Sequence, residues 1–266
     1  MNIFSKISIY TLAPIFFFNC YSIASVLPPC YKSENSRHLC YGTQFYSGGG
    51  KYTGEWVDLK ANGRGVYTFS NGNIYIGEFL DDRFHGQGTY IFNINSAGAG
   101  NKYVGGFQNN LFHGKGTYSF SSGRKYEGEW QNGKRNGHGT RTFANGDQYT
   151  GKWLNDKYHG NGTQSLVSGY KYAGEFKNGK SHGLGILTFP SGNKYVGEFI
   201  DGERNGLFTT IYASGDTYVG AYKNNLRNGL GTYKFSNGKI KKGLWKDGEF
   251  YYSVDFYYDN KLLESG

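Results

Sequence analysis

Residues 126–148 read YEGEWQNGKRNGHGTRTFANGDQ, and nearly everything after Gly42 is this stretch again. Sliding the chain by 23 residues superimposes YTGEW at Tyr52, YIGEF at Tyr75, YVGGF at Tyr103 and YEGEW at Tyr126. The series continues with YTGKW at Tyr149, YAGEF at Tyr172, YVGEF at Tyr195 and YVGAY at Tyr218, and a degraded copy, KKGLW, begins at Lys241. Only the step from Tyr75 to Tyr103 is longer, by the five residues Ser96, Ala97, Gly98, Ala99 and Gly100. A fixed period this short defines a repeat architecture.

Each period encodes two strands and two turns. In YEGEW the side chains of Tyr126, Gly128 and Trp130 fall on one face, those of Glu127 and Glu129 on the other. The second strand is marked by Thr140, Thr142 and Phe143, and one period earlier by Thr117, Tyr118, Ser119 and Phe120. β-Branched and aromatic residues suit a pleated, half-buried surface, and no run has helical spacing. Asn-Gly pairs separate the strands: Asn71-Gly72, Asn145-Gly146 and Asn237-Gly238 in one turn, Asn132-Gly133 and Asn178-Gly179 in the other. Asn-Gly accepts positive φ at both central positions of a tight hairpin, so the period is a β-hairpin.

One hairpin is not stable alone and must lean on its neighbours. The expected fold is therefore all-β: an elongated, twisted antiparallel sheet of about nine hairpins in a single array, residues 52–248. Stacking places Tyr52, Tyr75, Tyr103, Tyr126, Tyr149, Tyr172, Tyr195 and Tyr218 in one row. A parallel row holds Trp56, Phe79, Phe107, Trp130, Trp153, Phe176, Phe199, Tyr222 and Trp245. A glycine between the rows in each copy (Gly54, Gly77, Gly105, Gly128 and onward) leaves room for the rings. These ladders account for the 18% aromatic content, and aromatic burial must supply most of the cohesion.

The pattern YxGEWxxGxxHGxGxxxxxxGxx resembles the MORN (membrane occupation and recognition nexus) repeat over roughly Gly42 to Gly248. Gly86 and Gly88, Gly114 and Gly116, Gly137 and Gly139, Gly160 and Gly162, and Gly183 and Gly185 match its paired glycines. Gly106, Lys152 and Ala221 replace the usual Glu, and Phe208 replaces the second Gly of its pair, so the seventh copy is expected to bend or pair differently. The resemblance implies two partner classes: acidic phospholipids for some members, and for others a protein scaffold or a homodimer.

The first 24 residues differ in kind. Lys6 gives a basic start, Ile7 to Phe18 is mostly apolar, and Ser22-Ile23-Ala24 offers small residues for cleavage. Residues 1–24 thus read as a signal peptide, with an uncleaved anchor as the alternative. Export makes the protein secreted or periplasmic after cleavage near Ala24, with membrane association as a further option. Cys30 and Cys40 would then remain, and a disulfide between them is expected in an oxidising compartment, two free thiols being the other reading. Residues 25–51 read as an N-terminal segment and half-repeat covering the sheet edge, and 249–266, including FYYSVDFYY at Phe250–Tyr258, as a C-terminal cap or tail.

Nothing in the sequence argues for an enzyme. His85, His113, His159 and His182 recur at one place in the period, alternating with Asn62, Asn136, Asn205 and Asn228. Equivalent positions stand about 9–10 Å apart, whereas zinc ligands converge within about 2.0–2.3 Å, so the row suits a hydrogen-bonding job at the turn. Glu55, Glu78, Glu129, Glu175 and Glu198 form a row read as structural. No nucleophile elbow, P-loop or HExxH pattern is present, and no metal or cofactor is expected.

Charge says more. The net charge is +9, and basic residues recur after the aromatic row at Lys60, Arg83, Lys134, Arg135, Lys157, Lys180, Arg204 and Arg227. A second set, Lys51, Lys102, Lys125, Lys171 and Lys194, precedes the tyrosines. In register the first set would make a positive stripe for anionic phospholipid, or simply a soluble edge. Nucleic acid is the weaker polyanion candidate for an exported protein. An unidentified protein partner is the favoured reading, with anionic phospholipid second.

Overall fold

The computed structural model describes residues 39–254 together with Leu27, Pro29 and Cys30. The expected leader lies outside the described residues, as does the tail beyond Val254. Among the described residues nineteen strands, numbered in chain order from β1 (Cys40–Phe45) to β19 (Glu249–Ser253), form one open antiparallel sheet. Each strand pairs with its sequence neighbours, so β2 (Lys51–Val57) pairs with β3 (Lys60–Thr68), and β8 (Lys125–Gln131) with β9 (Lys134–Thr142).

The two turns of the period differ, which refines the expectation of positive φ at both positions. Between β8 and β9 the two-residue turn has Asn132 at φ 50° and Gly133 at 78°, as a type I′ hairpin requires. In the other turn only glycine goes left-handed: Gly146 has φ 90°, its amide donates to the Phe143 carbonyl at 2.9 Å, and Asn145 stays on the ordinary side.

Turn side chains also tie each repeat to the one before. Asp82, Asn110, Asp156 and Asn225 accept the backbone N–H groups of Ala61, Phe84, Arg135 and Arg204 at 2.7–3.1 Å. At the opposite turns, Asn73, Asn101, Asp147, Asn193 and Asp216 accept those of Asn93, Ser121, Val167, Ala213 and Ser236 at 2.8–3.0 Å. These two ladders satisfy amides at both margins of the sheet that the strand pairing leaves open.

One face carries the aromatic core. Seven tyrosines of the row, from Tyr52 to Tyr172 and again Tyr218, are at most 2% exposed. Each ring lies over a glycine pair: a Cβ added at Gly139 would meet the Tyr126 ring at 2.6–2.7 Å. Each of these tyrosines meets the aromatic of the next repeat edge-on, as in Tyr126–Trp153 (5.2 Å between centroids, 84°). All four Trp indoles donate to a glycine carbonyl of the preceding copy, Trp130 to Gly116 at 3.2 Å for example. Fully burying one such ring stabilises by about 1.5–3 kcal/mol, which is how a single layer with few aliphatic residues inside holds together.

The array's edges are treated differently. Cys30 and Cys40 form a disulfide with Cα atoms 5.1 Å apart. It holds Pro29 and Cys30 against β1, where Cys30 donates its N–H to the Tyr41 carbonyl at 3.1 Å. At the far end Phe250 packs on Trp245 at 5.2 Å, while Tyr251 and Tyr252 are exposed.

Candidate interaction surface

The basic residues read from the sequence as one stripe divide between the two faces. Lys60, Arg83, Lys134, Lys157 and Lys180 open their strands on the face opposite the aromatic core. Arg135, Arg204 and Arg227 stand one position further along, and a one-residue step in a strand reverses the face. They point into the aromatic side instead. The Arg135 guanidinium lies 4.5 Å from the Trp153 ring centre and bonds Asp156 at 2.8 Å. Arg204 lies 4.1 Å from Tyr195 and donates to the Asn225 carbonyl at 2.8 Å. Arg227 lies 4.2 Å from Trp245 and donates to the Gly248 carbonyl at 2.7 Å. These three arginines cover rings, as Phe84, Phe112 and Tyr158 do by stacking on Tyr75, Tyr103 and Tyr149 at 3.7–3.8 Å.

Of the five that remain, Lys60 pairs with Asp81 at 3.3 Å and Arg83 reaches Asn109 at 3.4 Å. Lys134, Lys157 and Lys180 are exposed in consecutive repeats and form no ion pair or side-chain hydrogen bond among the described residues. Leu111 interrupts the row, and Glu203 and Leu226 end it.

The aromatic row also has one member out of place. Tyr195 is half-buried, and its hydroxyl lacks the bond that the other seven make to the carbonyl three residues on, such as Tyr126 to Glu129 at 3.0 Å. Phe208, standing where a glycine stands elsewhere, is 2% exposed and fills the space over Gly197. Strand pairing is kept, Gly197 facing Phe208, so the seventh copy departs in its side chains and not in its register.

The histidine and glutamate rows are structural in unequal measure. Asn62 and Asn205 accept the turn N–H groups of Asp81 and Asn224, at 3.3 and 3.0 Å. The Nδ1 atoms of His85, His113 and His182 are buried with no partner, so histidine does not do the same work there. Glu78 and Glu175 accept the N–H groups of Gln87 and Leu184 across the bulge made by Gly86 and Gly183. Among the described residues no group of three or more His, Cys, Asp or Glu could hold a metal ion.

Burial pushes the hydroxyls of Tyr52, Tyr75, Tyr103, Tyr126, Tyr149 and Tyr172 well above the ordinary tyrosine range. Tyr218 is pushed up to about 12, chiefly by burial, and Tyr233 also to about 12, by burial and by its bond to Asp216. That same 2.6 Å bond holds the half-buried Asp216 carboxyl below its usual range.

The face opposite the aromatics bears a continuous cross-strand ladder of mostly β-branched residues, beginning Thr43, Thr53, Val66, Ile76 and ending Thr209, Val219, Thr232, Lys242. Beside it runs the row formed by the middle residue of each glycine pair and the glutamate position facing it, as Arg64 faces Glu78. The middle residue is Arg64, Gln87, Lys115, His138 and Asn161 in the first five repeats, then Leu184, Leu207 and Leu230. Leu184, Leu207 and Leu230 are 69%, 75% and 50% exposed, and Val219 next to them 55%. Val196, Leu207, Val219 and Leu230 line a shallow depression of about 350 Å³. Their spacing of one period is the signal in the sequence that marks these leucines out.

A single open sheet of stacked hairpins, with one aromatic face and one long face left uncovered among the described residues, defines a β-repeat interaction module. The MORN repeat family model matches residues 52–74, 75–96, 103–123, 126–148, 149–169, 172–194, 195–217 and 218–240, and the chain belongs to that family, whose repeats are generally protein- or membrane-interaction modules. Comparison with curated proteins returned no match. Among solved structures, the G-box domain of the microcephaly protein CPAP is 11% identical, covering 77% of this chain and 99% of that one, with a TM-score of 0.40. The TCP10 domain of Danio rerio CPAP, in complex with a peptide of Danio rerio STIL, is 14% identical, covering 78% and 100%, with a TM-score of 0.36. Virginiamycin B lyase from Staphylococcus aureus is 10% identical, covering 80% and 86%, with a TM-score of 0.17. None of these likenesses carries an argument about this chain.

Proposed function

We propose that this chain is a non-catalytic, exported scaffold that holds a protein partner on the face opposite its aromatic core. The observation that supports this best is the row Leu184, Leu207 and Leu230, three large apolar side chains kept in register and exposed on a layer that nothing covers among the described residues. Contiguous apolar surface of this kind marks a contact site in a protein that must stay in solution. The Cys30–Cys40 disulfide supports export, because such bonds persist in oxidising compartments.

A second reading, attachment to anionic phospholipid, is favoured by Lys134, Lys157 and Lys180, which are exposed and unpaired on the same face. Vesicle co-sedimentation separates the two. Pelleting with acidic but not neutral vesicles, lost in moderate salt and in a Lys134/Lys157/Lys180→Ala variant, would replace the scaffold reading with the lipid one. Absence of pelleting in every condition removes the lipid reading and leaves the leucine row as the working surface.

A further inference from the structure

We infer that the last three repeats accept an amphipathic helix with an acidic flank, lying across the strands between the leucine row and the margin that carries Lys194 and Lys234. This rests on the protein-interaction reading and names the partner's chemistry.

The site spans β13 (Lys180–Thr188), β14 (Lys194–Ile200), β15 (Glu203–Ile211), β16 (Thr217–Lys223) and β17 (Leu226–Lys234). Along one margin stand Leu184, Leu207 and Leu230; along the other, the pairing register carries Lys194 through Ile211 and Thr217 to Lys234. Val196 and Val219 lie between them in the floor of the depression.

The dimensions select the occupant. Leu230 and Lys234 are four residues apart on one strand, so the two margins are separated by about 13–14 Å, enough for a helix about 10–12 Å across. Four strand spacings separate Leu184 from Leu230, about 19 Å, which is the length of a helix of about 13 residues. A row of leucines calls for apolar residues at i, i+3 or i+4, and i+7 on the helix. Lysines on the far margin call for carboxylates on the flank that faces them, with Glu198 the one acidic side chain set within the leucine margin among the described residues. The exposed basic row at the turns ends at Lys180, the first residue of β13, so the leucine site and that lysine row meet in the sixth repeat and otherwise occupy successive parts of one face.

The test is to pan a phage-displayed library of random peptides on the purified full chain and measure the enriched peptides by anisotropy. The expected peptides show helical apolar spacing with Asp or Glu on one side. Their affinity should fall about tenfold or more in Leu207→Glu/Leu230→Glu, whose substitutions sit at exposed positions that leave the aromatic core intact. It should fall several-fold in Lys194→Glu/Lys234→Glu, with that second loss fading as salt rises. Peptides that bind the leucine variant as well as the parent overturn the site while leaving the scaffold reading standing. Basic enriched peptides overturn the partner's chemistry. Sedimentation of the chain as a dimer that Leu207→Glu dissolves assigns the surface to a second copy instead. No enrichment, with pelleting on acidic vesicles, removes both this proposal and the protein-binding reading beneath it.

Discussion

The ring of Phe208 stands against Gly197, in the berth that Tyr195 would occupy if the seventh repeat followed the other copies. An added Cβ at Gly197 would come within 2.6 Å of two Phe208 ring atoms, whereas the atoms crowding Gly128 and Gly139 include those of Tyr126. The hydroxyls of these two tyrosines therefore matter unequally. Tyr126→Phe strands the Glu129 carbonyl and should cost about 1 kcal/mol, while Tyr195→Phe should cost less than about 0.5 kcal/mol. Urea midpoints of the two variants decide the matter, and equal losses would sink the explanation.

Gly139→Ala should be among the most damaging of the conservative substitutions. The new methyl meets the Tyr126 ring at 2.6–2.7 Å, and the ring is enclosed by Trp130 and Trp153. Overpacking of this kind costs about 1–3 kcal/mol. Gly123→Ala, where a Cβ meets nothing within 4 Å but φ is 83°, should cost less, through backbone strain alone. Thermal melts that rank the two in the opposite order would contradict the packing account.

Alkaline pH should unfold the sheet through its tyrosines. A buried hydroxyl whose pKa is raised in the folded state favours folding while it stays protonated; that contribution is complete below the unfolded value of 10.0 and is lost as pH climbs towards about 12, the value for Tyr218. Tyrosinate absorbance should therefore rise together with loss of the sheet's circular dichroism, not ahead of it. At the acid end the sign reverses for Asp216: its depressed carboxyl favours folding above its unfolded pKa, and the contribution fades as pH falls through the folded one.

Cys40→Ser should loosen the first edge and little else. Closing a loop of ten residues' separation contributes about 3 kcal/mol in the chain-entropy model. Each repeat touches only its neighbours, so hydrogen-exchange protection should fall in β1 and β2 while β8 and β9 keep theirs. Loss of protection throughout the sheet would show that the array melts as one unit.

The hairpin, its period and the aromatic face were legible in the sequence because each is written as residue type at fixed spacing. Tyr126, Gly128 and Trp130 alternate as a strand must, and Asn132-Gly133 admits one kind of turn. What was not legible depended on a single-residue offset. Lys134 and Arg135 are neighbours in sequence and in charge, yet the pleat sends one to each face, so a stripe counted by charge alone merged two rows. Tyr195 was indistinguishable from its equivalents because its displacement is caused by Phe208, thirteen residues away in sequence, which faces Gly197 on the paired strand. The inter-repeat bonds of Asp82, Asn110, Asp156 and Asn225 were hidden for a related reason. Asn and Asp are ordinary turn residues, and only the stacked geometry shows that their side chains reach back to the previous copy.

One period contributes two antiparallel strands, so adding or excising a whole period restores strand direction, face and pairing register together. Removing residues 148–170, for example, would bring Thr142 opposite Lys171 where Gln148 had been, with Arg141 meeting Tyr172 in place of Tyr149. Length is thus a free variable of this design, whereas in a closed globular core the loss of 23 residues opens a hole. The five residues from Ser96 to Gly100 show the same tolerance at smaller scale: they are spent in a turn, at the margin, where neither ladder of rings nor row of leucines has to take account of them. Copy number therefore sets the distance between the leucine-bearing repeats at one end and the disulfide-held edge at the other, and that distance can change without redesign of either.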